Sequence, residues 1–585
     1  MFLIAITDRP VKREFPGEEV WELRADSAYI TVLTDGVMSR ISGSEDRLTL
    51  YEAPGNWTGG NEGPHLAEVN YNRETGRVEL VKPTLSGRPV YYHLNSRGEL
   101  YCSTHIRCLR QAGVPIRENR EVLPEYFIYR HIMPPETLYR DIHAMTAGSR
   151  ITFSLKNGRW KLQSRERYTP PTPQDPSEIV VEDVVAKMED YLKGAIGSVN
   201  PENDSVRFLL SGGLDSSILC RIGQKHFGVD TTHSTSYPFL DPDKDREREY
   251  AKTAGEAMSL THHFHQFTID DYLEAIIRSI AAAEEPVSHL QSPMFYLLYQ
   301  DMDTGTPGTV ISGESADVLF GGEHHKRLRE SDRLNSKPYR PLIAGILQLA
   351  RLSVKLTGRG VGYSELLKYM NAPRKPVNNP DSLLWQWLSF GSEEWVCDTF
   401  RVDRSDIIRN RCEVLEHYDE KSFDDLIAIY LLQGFSACSQ SVWSKIGESN
   451  RNVMYCPYTD NRLADMIFSV PWSIKLTEKK SLLRKLARRL DLPEFIITRR
   501  KSGFSAGANC WGLPGGLLEP LIPIAAGDFG EESIRSMQSE DPKRSMTYWN
   551  LLNYGIWKRI CIENEPESRL IEELGKAGSR RPVPA

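Results

Sequence analysis

The chain has 585 residues, 40% of them hydrophobic and 26% charged, which is core material for two or more domains of a globular protein. Against 79 acidic residues stand 72 basic ones, so the net charge is −7 without a polybasic footprint, which argues against nucleic acid or an anionic membrane as a main partner. Nine cysteines, with no pair at the close spacings of zinc or redox motifs, indicate reduced thiols in a cytoplasmic protein.

At the N-terminus, "MFLIAITDRPVKREF" holds an apolar run too short for a secretory core and with no basic residue ahead of it. No later run approaches the ~20 apolar residues of a membrane span, so the expected compartment is again the cytoplasm. The stretches "RVELVKP", "VYYHL", "ELYCSTH" and "SRITFSL" alternate with turn residues in the manner of β-strands. Prolines and polar residues then gather in "YTPPTPQDPSE", which reads as a linker and divides the chain into 1–168 and 169–585. Beyond it, helical patterns alternate with the short apolar runs "VRFLL", "TTHSTSY" and "GTVISG", the order of a parallel sheet flanked by helices. The last stretch, "GKAGSRRPVPA", reads as a frayed tail.

The first strand-to-helix junction of the second region is "VRFLLSGGLDSSILCRI". Successive backbone N–H groups at a glycine turn that feeds a helix form a nest for an anion, and the helix dipole adds to the attraction. Phosphate is the natural guest. The loop lacks the Gly-Lys-Ser/Thr ending of P-loop NTPases, and Asp215 beside a phosphate is repulsive unless it holds Mg²⁺. Such a site suits pyrophosphate held as a leaving group.

This "SGGLDSS" string resembles the pyrophosphate loop of the ATP pyrophosphatase superfamily, in the setting of asparagine synthetases. Downstream, "ISGESADVLFGG", "CPYTDNRL" and "KKSLLRKLARRLDLPEFIITRRKSGFSAG" are similar to that family's ordered signatures. In the first region, "TLSGRPVYYHLNSRGELYCSTHIRCLRQAG" and "PPETLYRDIHAMTAGSRI" are similar to its glutaminase domain. The resemblance implies an α+β Ntn-hydrolase-like layer over 1–168, then an α/β doubly wound parallel-sheet domain over 169–585. One residue departs from the pattern. Where working glutaminases carry a nucleophilic cysteine after the initiator Met, this chain has Phe2, which has no nucleophile to offer, so the first domain reads as a degenerate glutaminase.

With glutamine chemistry lost, the amine comes from elsewhere, and the simplest source is the substrate itself: a ring closure at high effective molarity. The resemblance then points to a lasso peptide cyclase, which adenylates an Asp or Glu side chain of a core peptide and lets the peptide's N-terminal amine attack it. The signature glutamate Glu314, where β-lactam synthetases carry tyrosine, suits a peptide α-amine, whose pKa near ~8 needs orientation and a modest base. Two rivals stay open: another amide ligase of the family, either an amidotransferase or a small-molecule cyclase, and a nucleotide-binding pseudoenzyme scaffold.

Roles follow from the same resemblance. Residues Ser211, Gly212, Gly213, Leu214, Asp215, Ser216 and Ser217 would form the ATP phosphate loop, with the backbone of Leu210, Tyr237, Ser312 and Gly313 lining the adenosine pocket. Asp215 and Asp317 would share Mg²⁺, while Glu314 and Lys501 would be catalytic, one as base and the other as the cation at the α-phosphate and tetrahedral intermediate. His289 is a weaker candidate for a substrate contact. Helical and aromatic patterns between residues 323 and 445, such as "PLIAGILQLARLSVKL" and "LLWQWLSF", are read either as extra walls for a large substrate or as core. The implied partners are a precursor peptide, a leader peptidase and a leader-recognition protein.

Overall fold

The computed structural model describes residues 2–7, 19–25, 28–34, 39–43, 47–52, 67–82, 85, 87–200, 205–239, 245–303, 305–322, 325, 342, 345–346, 382, 384–385, 388–418, 420–499 and 511–578. Twelve of the described strands come before residue 168: β1 (Phe2–Thr7), β2 (Glu19–Ala25), β3 (Ala28–Thr34), β4 (Ser39–Gly43), β5 (Arg47–Glu52), β6 (Ala67–Asn72), β7 (Arg77–Lys82), β8 (Tyr91–Leu94), β9 (Leu100–Ser103), β10 (His143–Ala144), β11 (Ser149–Lys156) and β12 (Arg159–Arg167). They build two six-stranded antiparallel sheets, ordered β10–β8–β9–β1–β3–β2 and β12–β11–β7–β6–β5–β4.

Strand β1 shows why its sequence is apolar without interruption. Because side chains alternate along a strand, Phe2, Ile4 and Ile6 enter the core between the two sheets, while Leu3 and Ala5 join the larger core on the other side. Buried on both faces, β1 stays apolar until its last residue, Thr7. Strand β12 is the opposite case: its "RWKLQSRER" pattern is largely exposed at a sheet edge, where charge discourages pairing with another chain.

After the proline-rich stretch come β13 (Val206–Leu209), β14 (Thr231–Thr235), β15 (Thr261–His265), β16 (Gly308–Ile311) and β17 (Asn452–Tyr455), which form a parallel sheet ordered β15–β14–β13–β16–β17. The order reverses at β13 and β16, leaving a crevice beyond their carboxyl ends, which is where open α/β sheets bind ligands. Helices Val181–Gly197, Leu214–Phe227 and Ser481–Arg489 pack together beside the sheet, and Ile269–Ala283, Ser292–Asp301 and Ala437–Ser449 form a second group. Thr268 and Asp271 close a reciprocal capping box at the start of Ile269–Ala283, which satisfies two helix-end donors.

The segment read as a linker is held down. Gln174 N donates to Ser469 O at 2.8 Å, Lys421 Nζ to Pro170 O at 2.7 Å, and Tyr418 Oη to Tyr168 O at 2.8 Å. One hydrophobic core, running from Leu3 to Leu574, spans both sides of it. The two halves are also joined by charge: Arg88 donates twice to Glu448, at 2.7 and 3.2 Å, with the Arg88 side chain buried and that of Glu448 nearly so. Lys445, on the same helix as Glu448, donates to Tyr91 Oη at 2.8 Å and lies 3.4 Å from Glu285.

Candidate active site

The two loops that leave β13 and β16 meet at the crevice. Gly212 sits at φ +66°, and a Cβ there would lie 2.3 Å from Tyr250 O; Gly313 has no room either, since its Cβ would lie 2.9 Å from Ser216 N. Both glycines are therefore required by close backbone approach. The helix Leu214–Phe227 begins directly after the turn, so its free N–H groups and positive dipole end face the crevice. Ser211 and Ser216 fix the turn from inside: Ser211 N donates to Ser216 Oγ at 3.2 Å, and the two hydroxyls lie 3.1 Å apart. Ser217 is fully buried, and its hydroxyl has no hydrogen-bond partner among the described residues.

A cleft opens over these loops. Of the residues expected to bind nucleotide or act in catalysis, Leu210, Ser211, Asp215, Ser216, Ser312, Gly313 and Glu314 line it, together with His233 and Met294. Gly212, Gly213, Leu214 and Ser217 shape the turn behind, and Asp317 lies at the next helix. Tyr237 does not line the cleft: it is buried, stacked on Phe239 at 4.9 Å and set edge-on to Tyr272. Lys501 lies outside the described residues. Glu314 stands close enough to the buried Cys456 and Tyr299 to help burial raise the pKa of both.

The arrangement has a centre that the sequence reading did not assign. Lys480 Nζ donates to Asp215 Oδ1 at 2.7 Å and Oδ2 at 2.5 Å, and lies 2.7 Å from Asp317 Oδ1. Burial works against this ammonium, but Asp215 and Asp317 outweigh it, so its pKa is raised. Its backbone is left-handed at φ +57°, as is Ser315 at φ +70° just ahead of the Asp317 helix. Non-glycine residues seldom adopt that conformation, and here two of them aim the groups that meet at one point. The signal for Lys480 was present in "KKSLLR", which matched a signature but was given no chemical role.

Asp215 and Asp317 reach the same atom, so their oxygens are near enough to share an ion. A pair of carboxylates is the donor set that Mg²⁺ takes from a protein when substrate phosphates supply further oxygens, and the residues present fit it. Arg499 braces the turn with a paired charge: it donates to Ser211 O at 3.2 Å and Glu247 Oε1 at 2.9 Å, over the Tyr250 ring.

His289 is packed rather than free. Its Nε2 is 2.8 Å from Ser439 Oγ, its ring is wedged against Phe435 and Trp443, and burial then Arg130 hold its pKa well down. Within "LLWQWLSF", Leu384, Trp385 and Leu388 are buried, with Trp385 edge-on to Tyr430, so this part is core. The "PLIAGILQLARLSVKL" stretch lies almost wholly outside the described residues.

Residues 188–528, more than half of the chain, match the asparagine synthase family. The chain belongs to that family. It is 20% identical to asparagine synthetase [glutamine-hydrolyzing] 1 of Bacillus subtilis over 506 residues, covering 81% of this chain and 74% of that protein. A second relative, asparagine synthetase [glutamine-hydrolyzing] of Zea mays, is 32% identical over 126 residues, 20% of this chain and 21% of that one. Asparagine synthase family members are ATP-dependent ligases, so this chain is read as an asparagine synthetase-like ATP-dependent amide ligase. No helix among the described residues is long and apolar enough to cross a membrane.

Proposed function

We propose that this chain is a lasso peptide cyclase, an AMP-forming macrolactam synthetase. The observation that carries the reading is the pairing of a charged, Glu314-lined cleft with a first strand that opens on Phe2, buried between two sheets and without a nucleophile. On this reading acyl activation is kept and the hydrolysis of glutamine is not. The first region is read as a degenerate glutaminase-like layer.

In the first half-reaction a carboxylate oxygen of an Asp or Glu side chain in the core peptide attacks the α-phosphorus of ATP, and pyrophosphate leaves. The turn at Ser211–Ser217 and the helix N-terminus receive the phosphates, and Asp215 and Asp317 would hold Mg²⁺, whose charge offsets that of the leaving group. In the second, the peptide's N-terminal amine attacks the acyl carbon and AMP departs. Glu314 takes the amine proton, while Lys501 is assigned to the charge developing on the tetrahedral centre. A leader peptidase supplies the free amine, and a leader-recognition protein delivers the precursor.

The test is a single-turnover assay of ATP and a linear core peptide, following pyrophosphate, AMP and the loss of one water mass from the peptide. Glu314→Gln is expected to release pyrophosphate normally while ring closure falls by about 10²–10⁴-fold. Ring closure at the native rate would remove Glu314 from the base role. Amide formation from a small acid and ammonia, without peptide cyclisation, would shift the chain to the amidotransferase branch.

A further inference from the structure

Beside the strand that leads into the phosphate turn, the cleft wall holds His233, one of a cluster of histidines on two neighbouring strands. Strands β14 and β15 pair in parallel, with His233 opposite His263 and Thr235 opposite His265. The rings of His233 and His263 stack at 5.5 Å, and His233 Nδ1 lies 3.0 Å from His265 Nε2. His265 Nδ1 in turn makes a short hydrogen bond to Asp301, the last residue of the helix Ser292–Asp301. That helix packs on β14, and its Met294, Phe295 and Leu298 line the same cleft as His233. The result is an apolar patch of Met294, Phe295 and Leu298 within the charged cleft, with one imidazole in the wall and a carboxylate anchoring the far end of the relay.

With a neutral His265, the relay sets the tautomer of His233. A carboxylate can only accept, so His265 presents its Nδ1–H to Asp301 and, when neutral, leaves Nε2 as a lone pair. His233 must then donate its Nδ1–H to that lone pair, which leaves its own Nε2 as an acceptor. Burial, followed by His265 and His263, holds the pKa of His233 down at about 3, so the ring stays neutral. Among the described residues, His233 Nε2 has no hydrogen-bond partner.

We propose that His233 reads the purine of the bound nucleotide: its Nε2 accepts the exocyclic amino group of adenine, and His265 and Asp301 are the positioning residues that hold it in the accepting tautomer. The proposal rests on the reading of this cleft as the ATP site. Apolar side chains stack on any purine and do not separate one from another. An acceptor at the position of the 6-substituent does, because a 6-oxo purine brings a second lone pair where the site supplies no proton.

The experiment is direct binding of ATP and of ITP, measured by equilibrium dialysis on the full chain with Mg²⁺ present. Wild-type protein is expected to prefer ATP by about tenfold or more, the size of one net hydrogen bond gained or lost. His233→Phe keeps a flat ring in the wall but lacks the acceptor, and the preference should fall to within about twofold. Asp301→Ala, at the half-exposed end of the relay, leaves His233 in place and frees its tautomer; it should lower the ratio by about threefold or more while a merely structural change would weaken both nucleotides alike. Equal binding of ATP and ITP by the wild type, or an unchanged ratio in both variants, would overturn the role of His233 and leave the nucleotide site standing. Failure of the wild type to bind either nucleotide would overturn both readings together.

Discussion

Two clusters of charge in this molecule use similar groups in opposite ways. At the junction of the antiparallel sheets with the helix Ala437–Ser449, Arg88 and Glu448 are bound bidentately, with Arg88 shut away from water and the Glu448 side chain only 9% exposed. At the crevice, Lys480 is held by two carboxylates, of which Asp215 is buried but Asp317 keeps half of its side-chain surface exposed. The first cluster is closed, with each charge answered inside the protein. The second has an open side, where a ligand can exchange places with the ammonium or add to it. Pairing alone therefore does not distinguish the two clusters; what distinguishes them is that one pair is incompletely enclosed and lies beside left-handed residues, Ser315 and Lys480.

The largest effect expected of breaking this contrast is at the closed cluster. Glu448→Gln leaves the buried Arg88 guanidinium facing a neutral amide, and losing one partner of a buried pair costs about 3–5 kcal/mol. Denaturant unfolding of the variant against wild type measures it. The Glu448 carboxyl, despite burial, is held well below the ordinary carboxylate range by Arg88. Its folded pKa is thus depressed, so this stabilisation is present above about pH 4.3, the unfolded value, and is lost as pH falls through the folded one. A loss under about 1 kcal/mol would show that the closed cluster is no better paired than a surface bridge.

A third buried charge sharpens the comparison because, among the described residues, no carboxylate binds its ammonium: Lys475 donates to Ile467 O at 3.0 Å and lies over the Trp472 ring. Burial lowers its pKa to about 7, with Asp425 and Asp424 opposing. The unfolded chain, with lysine at its ordinary value of 10.5, therefore binds this proton more tightly than the folded protein. Stability is expected to climb as pH rises from about 7 towards 10.5, by on the order of a few kcal/mol, and Lys475→Met should flatten the climb. Thermal melts across that range decide it: equal slopes in both proteins would mean that Lys475 stays charged when folded.

Much of the crevice was legible in the sequence for a physical reason. Backbone that must approach other backbone admits only glycine, so Gly212 and Gly313 punctuate strings that no ordinary helix or strand needs. The strands β13, β14 and β16 were legible as short apolar runs next to those turns. Strand β15, "THHFH", was not, since three histidines hide its periodicity, nor was β17, "NVMY", which no glycine turn follows. Lys480 was missed because a lysine beside another lysine at a helix start looks like a solvated pair; only the fold brings Asp215 and Asp317 to it. The same holds for Arg88 and Glu448, 360 positions apart.

An intermediate effect is expected at the turn. Gly212→Ala places a Cβ 2.3 Å from Tyr250 O at φ +66°, so the loop or the helix Arg246–Ala257 must shift. The left-handed conformation alone costs about 1–2 kcal/mol. Nucleotide binding by dialysis is expected to weaken by about tenfold or more, as a comparable strain is met at the phosphate turn, while Gly228→Ala, at a helix end with nothing within 4 Å of its Cβ, should leave it unchanged. Equal binding by both variants would mean that the turn tolerates displacement.

The smallest change in stability is expected at Asp317, and it is the most informative about the open cluster. Asp317→Asn removes one of the two acids around Lys480 but leaves Asp215, whose two oxygens lie 2.7 and 2.5 Å from the ammonium. With half of its side chain in water, Asp317 is screened, and its loss should cost no more than about 1 kcal/mol in unfolding without nucleotide. Mg²⁺-dependent binding of ATP is expected to fall much further, because an amide oxygen replaces one of the two anionic donors on which the proposed ion depends. The two measurements must therefore diverge: little loss of stability, a large loss of Mg²⁺-dependent affinity. If Asp317→Asn destabilised the fold as strongly as Glu448→Gln and left nucleotide binding intact, the carboxylates around Lys480 would be a structural brace like the closed cluster, and the crevice would lose its claim to the metal.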